Sequence, residues 1–122
     1  MFGWVAFTAK RQSTIQRRRQ LFEEAAEIIE REYADSLSLD DVARRVASSR
    51  RQLQRAFLEA GETSFRACLQ RVRMARARDL LRDGSLPVNR VATSVGYRQP
   101  AQFAKAFRRH HGTPPSSYRH AA

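Results

Sequence analysis

Apolar residues recur at intervals of three and four along most of this chain, the period of helices that bury one face. From about Ser13 or Gln20 to Tyr33 the inward positions are Leu21, Ala25, Ile28, Ile29 and Tyr33, while Glu23, Glu24, Glu27 and Glu30 lie outside. In Leu37-Ser38-Leu39-Asp40-Asp41-Val42, Ser38 reads as an N-cap with Asp41 three residues on, flanked by apolar residues placed for a hydrophobic staple. Ser49 with Gln52 repeats that spacing and starts a helix to about Ala60, closed by Gly61. A long helix follows from Ser64 to about Asp83. Its inward side is Phe65, Cys68, Leu69, Val72, Ala77, Leu80 and Leu81, its outward side Arg66, Arg71, Arg76, Arg78 and Arg82, and Asp83-Gly84-Ser85 ends it. Residues 1–19 run from an apolar start to Arg17-Arg18-Arg19 without a clear period and are expected to form a flexible extension.

The stretch Val88 to Gly112 predicts two short helices around a tight corner. Val88, Val91, Ala92 and Val95 give the first helix an apolar face, and Gly96 supplies a residue able to take positive φ. Pro100 suits the first turn of the second, whose inward face is Phe103, Ala106 and Phe107 and whose other face offers Gln102, Lys105, Arg108 and Arg109. Two helices, a glycine corner and a basic outer face make a helix-turn-helix. Leu39 to Gly61 has the same skeleton: Val42, Ala43 and Val46 precede Val91, Ala92 and Val95 by 49 residues, Leu53 and Phe57 precede Phe103 and Phe107 by 50, and Gly61 precedes Gly112 by 51. The growth at the corner implies a one-residue insertion in the second turn. The fold expected is therefore all-α: a first helix-turn-helix subdomain over 20–63, a linking helix over 64–84 and a second subdomain over 85–122.

At 122 residues the chain can bury a modest core. Its formal charge of +11 calls for a polyanionic partner, and the distribution matters more than the total. Residues 1–35 carry 6 basic and 6 acidic side chains, whereas 85–122 carry +6 and no acid, so the excess follows the two units. Arg outnumbers Lys 21 to 2, which suits bidentate contacts to phosphate and guanine. The single cysteine, Cys68, allows no internal disulfide and fits a reducing, cytoplasmic setting. No apolar run reaches the ~18 residues of a membrane span, and the start lacks the charged leader of a secretion signal. An enzyme would need a metal-ligand cluster, a glycine-rich phosphate loop or a nucleophile with its base, and none is visible, so no catalytic residue, metal or cofactor is expected.

Arg51, Gln54 and Arg55 fall at i, i+3 and i+4, opposite Leu53 and Phe57, and offer bidentate geometry to guanine and adenine. Arg50 and Lys105 join them as candidate base contacts, with Arg98, Gln102, Arg108 and Arg109 assigned to the DNA backbone. Leu53, Phe57, Phe103 and Phe107 are expected in the core, and His110, His111 and His120 have no metal spacing.

From about Leu21 to Arg119 the chain resembles the DNA-binding domain of AraC/XylS-type bacterial transcription regulators. The resemblance is carried by Val91-Ala92, Val95-Gly96-Tyr97, Phe103, Phe107 and the ending Gly112-Thr113-Pro114-Pro115-Ser116-Ser117-Tyr118-Arg119, similar to G-x-x-P-x-x-Y-R, and by Arg73, Ala77, Leu80 and Leu81 in the linking helix. It implies seven helices, with two recognition helices entering successive major grooves on one face of the duplex. Arg73 holds a family position that implies a structural ion pair. Pro100, Ala101 and Ala104 stand where the family has polar side chains; Ala101 and Ala104 offer base contact only to a thymine methyl, which assigns the second unit more to holding the backbone than to reading sequence. The implied function is a double-stranded DNA-binding transcription regulator, monomeric on DNA and nucleoid-associated, with RNA polymerase as a candidate partner. The chain is then either a single-domain regulator or the DNA-binding piece of a longer, ligand-responsive one. The competing class is a basic helical protein that binds nucleic acid without sequence choice, and the ratio of specific to non-specific affinity separates the two.

Overall fold

The structure is a computed structural model that describes residues 2–120, with side chains described for residues 12–118. Among the described residues it consists of seven helices and no strand: α1 (Phe2–Glu32), α2 (Leu39–Arg45), α3 (Arg50–Gly61), α4 (Phe65–Asp83), α5 (Val88–Ser94), α6 (Pro100–His111) and α7 (Pro115–His120). The all-α expectation holds. The chain forms two compact units, residues 1–31 with 37–68 and residues 32–36 with 69–122. Each therefore takes part of α4: residues 65–68 go with the first, the rest with the second.

α1 begins at Phe2, well before the Ser13 or Gln20 start that the apolar spacing suggests. No Pro or Gly falls between Trp4 and Tyr33, so nothing interrupts a helix once its amphipathic second half is packed. The capped starts agree with the sequence. Ser38 Oγ accepts from the Asp41 amide at 3.1 Å and Ser49 Oγ from the Gln52 amide at 3.1 Å, each satisfying a donor that the first turn leaves unpaired. Ser64 Oγ does the same for the Ala67 amide. In the second unit α5 and α6 start without a side-chain cap, and Pro100 at the first turn supplies preset φ instead.

Both helix-turn-helix corners close by the same hydrogen bonds. In the first, the Ser48 amide donates to the Ala43 carbonyl at 2.8 Å and the Ala47 amide to Arg44 at 3.1 Å; in the second, Tyr97 donates to Ala92 at 2.9 Å and Gly96 to Thr93 at 3.1 Å. This geometry puts one residue per corner in the left-handed region. It is Gly96 at φ 100° in the second unit but Ala47 at φ 54° in the first, so the Ser48-Ser49 corner turns on an alanine that the sequence pattern did not single out.

Each unit has its own core. In the first, Phe57 is fully buried with Leu53 and Ala56, beside Leu21, Ala25, Ile28 and Ile29 of α1, Val42 and Ala43 of α2, and Cys68. The rings of Phe22 and Phe65 meet Phe57 edge-on at 5.3 and 5.9 Å. In the second, Phe103 and Phe107 pack with Met74, Ala77, Leu81, Val91, Ala92 and Val95, and Tyr97 and Tyr118 close over them. Met74 was not among the expected inward residues; it is 1% exposed.

Gly61 is the clearest correction. It is the last residue of α3 and does not take positive φ; Glu62 does, at 52°. What requires a glycine at 61 is Phe22, whose ring carbons would lie 2.4 and 2.6 Å from an added Cβ. Gly112, at φ 82°, closes α6 as Glu62 closes α3. The structural equivalence is Glu62 with Gly112, 50 residues apart like Leu53 and Phe103, and the only insertion is the one at the corner.

Substitution at the two sites should have opposite signs. Ala47→Gly removes a Cβ from a left-handed residue and should stabilise the first unit by about 0.5–1 kcal/mol, the relief of backbone strain exceeding the added freedom of the unfolded chain. Gly61→Ala gains helix propensity but drives a methyl into Phe22, itself held against Phe57, and should destabilise by about 1–2 kcal/mol net. Urea unfolding of the three proteins measures both.

Candidate nucleic-acid interface

The inward placement of Leu53, Ala56 and Phe57 turns the opposite side of α3 to solvent, and Arg50, Arg51, Gln54 and Arg55 are all exposed. They are not equivalent. Arg50 Nη1 lies 3.5 Å from Asp40 Oδ2, which ties the start of α3 to the first turn of α2. Arg51, Gln54 and Arg55 make no ion pair or side-chain hydrogen bond among the described residues, so their donors remain available to a partner. Leu58, 68% exposed and one turn beyond Gln54, prolongs the same face. In α2, Asp41 pairs with Arg44. The Ser38 hydroxyl, opposed by the cost of burial and aided by Arg44 and Arg45, holds its carboxyl below the usual carboxylate range.

α6 repeats the arrangement. Phe103 and Phe107 face the core, while Ala101, Gln102, Lys105, Arg108 and Arg109 are exposed; Ala104 is half-buried, and Arg98 is exposed in the corner before the helix. The exposed face of α6 thus carries three cations and no acid, and the two methyls stand where α3 has Arg51 and Gln54. His111 is spent inside the unit: Nε2 lies 3.0 Å from the Met74 carbonyl, and its ring lies against Phe107 and Tyr118. Burial, followed by the charges of His111, Arg71 and Arg78, pushes the His110 imidazole below its ordinary value.

Among the described residues Arg73 does not form the ion pair that its position implied. Its Nε donates to the Tyr33 carbonyl at 2.7 Å and its Nη2 to the Asp35 carbonyl at 3.0 Å, tying the segment after α1 to α4. The guanidinium lies over the Tyr97 ring, 5.8 Å from its centroid, and against Gly96, where an added Cβ would come within 3.0 Å of it. Gly96 thus meets two demands at once, left-handed φ and room for Arg73. Burial lowers the Arg73 pKa, with Tyr97 acting in the opposite sense. The sequence carried one signal for this arrangement, an arginine spaced four residues from both Leu69 and Ala77 of the inward side of α4.

One feature near α3 was absent from the sequence reading. α1 places Ser13, Thr14, Arg17 and Arg18 beside Gln52 and Arg55. Arg18 pairs with Glu59 and holds α1 to the flank of α3. Among the described residues no group of His, Cys, Asp and Glu could hold a metal ion, and no helix is long and apolar enough to cross a membrane.

A family model described as a helix-turn-helix domain matches residues 42–121. The chain is similar to the Msm operon regulatory protein of Streptococcus mutans, with 33% identity over 92 residues, which are 75% of this chain and 33% of that protein. It spans about a third or less of the curated relatives it matches. Among solved structures it resembles the C-terminal domain of AraT, a response regulator from Geobacillus stearothermophilus, with a TM-score of 0.80 and 29% identity over 84% of this chain and 85% of that one. It also resembles the DNA-binding domain of the global transcriptional factor AdpA in complex with a target DNA, with a TM-score of 0.74 and 30% identity over 83% of this chain and 90% of that one.

The role of Arg73 can be separated from charge. Arg73→Lys keeps the cation but cannot fork to two carbonyls, and should destabilise the second unit by about 1–3 kcal/mol while leaving the salt dependence of DNA binding unchanged. Thermal unfolding and titrations at several salt concentrations check the two halves of this expectation.

Proposed function

Since the chain belongs to the AraC/XylS-type helix-turn-helix family, we propose that it binds double-stranded DNA sequence-specifically to regulate transcription, with α3 and α6 as recognition helices. The observation that carries this reading is the exposed, unpaired trio Arg51, Gln54 and Arg55 on a helix rigidly set by its Ser49 cap and its Leu53, Ala56 and Phe57 face. Side chains held on a packed helix keep a fixed register to base edges, which is what discrimination among base pairs needs. The likeness to a domain bound to its target DNA supports the same reading. Arg50, paired with Asp40, reaches a base only by leaving that pair or sharing it.

The second unit contributes mainly affinity. Lys105, Arg108 and Arg109 on α6, with Arg98 and Gln102, meet phosphates, and Ala101 and Ala104 offer methyls alone. The protein acts as a monomer in the cytoplasm on a bipartite site whose parts lie about one helical turn apart. The relatives' greater length leaves room for a sensory or dimerising part joined to such a domain, and RNA polymerase is the partner through which it acts.

Arg51→Ala, Gln54→Ala and Arg55→Ala should each weaken binding to the selected site by about 1–3 kcal/mol and relax preference at particular base pairs. Titrations against the site and its single-base variants test this; equal losses on every sequence would leave these residues touching only phosphate. Hydroxyl-radical footprinting with sedimentation tests the monomer, and two chains on a palindrome would contradict it.

Replacing Lys105, Arg108 and Arg109 together by Ala should weaken binding on all sequences and flatten the slope of log affinity against log salt by up to about three phosphates' worth. Selection from a random DNA pool at two salt concentrations should find a shallow consensus under this unit in the wild type. A strong consensus there, lost in the triple variant, would show that α6 reads bases.

A further inference from the structure

Between the middle of α1 and the flank of α3 runs a cleft of about 300 Å³, lined by Ser13, Thr14, Arg17, Arg18, Leu21, Gln52 and Arg55. Its lining holds three arginines, two hydroxyls and an amide, with no acid, and Leu21, 4% exposed, lies at its base. Arg18 is committed to Glu59. Arg17 and Arg55 make no ion pair among the described residues, and they come from different helices toward the same space. Two guanidinium groups without a counter-charge, beside hydroxyl donors, repel each other unless an oxyanion lies between them.

We infer that this cleft binds a DNA backbone phosphate, making α1 a third contact element beside α3. A helix lying in a major groove is bordered on both sides by phosphate strands, because the groove, about 12 Å wide, is little broader than the helix. The trio Arg51, Gln54 and Arg55 turns one side of α3 to the bases; Gln52 and Arg55 form the edge of that face nearest α1. A strand passing that edge meets the cleft. Arg55 then stands between base and phosphate, and Arg17 faces phosphate alone. The inference rests on duplex binding by α3 but not on base reading, because a phosphate contact is the same on every sequence.

The test uses Arg17→Ala in the full chain, with Arg17→Lys and Arg19→Ala as comparisons; Arg19 carries the same charge two residues on and does not line the cleft. Affinity is measured against salt on a selected site and on an unselected duplex, and contacted phosphates are mapped by ethylation interference. Arg17→Ala should lower the magnitude of the log-log salt slope by about 0.9 on both duplexes, as loss of one phosphate contact requires, and remove one interfering phosphate at the edge of the α3 half-site. Arg17→Lys should keep the slope, and Arg19→Ala should change neither slope nor pattern. An unchanged slope and pattern in Arg17→Ala would overturn the inference, as would an equal drop from Arg19→Ala, which would show net charge alone. Titration with inorganic phosphate, followed by amide shifts of Gln52 and Arg17, separates the sources of the anion: saturable binding to the cleft in a protein whose duplex slope does not depend on Arg17 would make it a small-anion site and overturn the inference. Failure of base reading would appear instead as equal affinity for the selected and unselected duplexes, with the Arg17 effect still present on both.

Discussion

Each helix-turn-helix depends on one left-handed residue at its corner. With 7 residues in α2 and in α5 and 12 in α3 and in α6, these helices are too short to be stable alone and must bury their apolar faces against each other. The chain can turn back in time only if one residue leaves the right-handed region and lets its own amide and the next close on the preceding helix, which Ala47 and Gly96 do. That turn brings Leu53 and Phe57 over Val42 and Ala43, and Phe103 and Phe107 over Val91, Ala92 and Val95. The outward faces of α3 and α6 are fixed as a consequence, since a helix with one face in a dense core has no freedom to rotate.

The two units meet this constraint by different means. The first uses serine caps at both helix starts and accepts an alanine at the corner. The second has no side-chain caps but uses glycine at the corner, proline at the start of α6, and the Arg73 fork onto the Tyr33 and Asp35 carbonyls. Chemistry on the outer faces diverges in parallel. α3 carries bidentate donors with defined geometry, and α6 carries cations and methyls. A tandem of like scaffolds can therefore carry different chemistry on its exposed faces, because what fixes the scaffold lies on the opposite side of each helix.

The charge pattern follows the same logic. Acidic side chains concentrate on α1 and at the start of α2, where Asp40 and Asp41 favour the helix N-terminus and engage Arg50 and Arg44. They orient or occupy particular arginines and leave Arg51 and Arg55 without a counter-ion among the described residues. Net charge draws a polyanion to the protein; the local pairing decides which arginines are free to hold it.

Much of this was legible in the one-dimensional pattern, for a definable reason. Helical period, serine caps, the glycine at 96 and the proline at 100 act through residues within one or two turns, so spacing alone located α2 to α6, the inner aromatics and the exposed trio on α3, but neither the start of α1 nor α7. What tertiary structure decided lies in contacts between residues about 40 positions apart. Gly61 looked like a helix stop and is a seat for Phe22; the left-handed closing residue is Glu62, which composition gives no reason to choose. Arg73 found two carbonyls where a carboxylate was expected, because the segment after α1 presents unpaired backbone oxygens there. The cleft beside α3 needed both the middle of α1 packed along α3 and the Arg18 to Glu59 pair across 41 residues of sequence, and no local rule reports which side chains a long helix will pass.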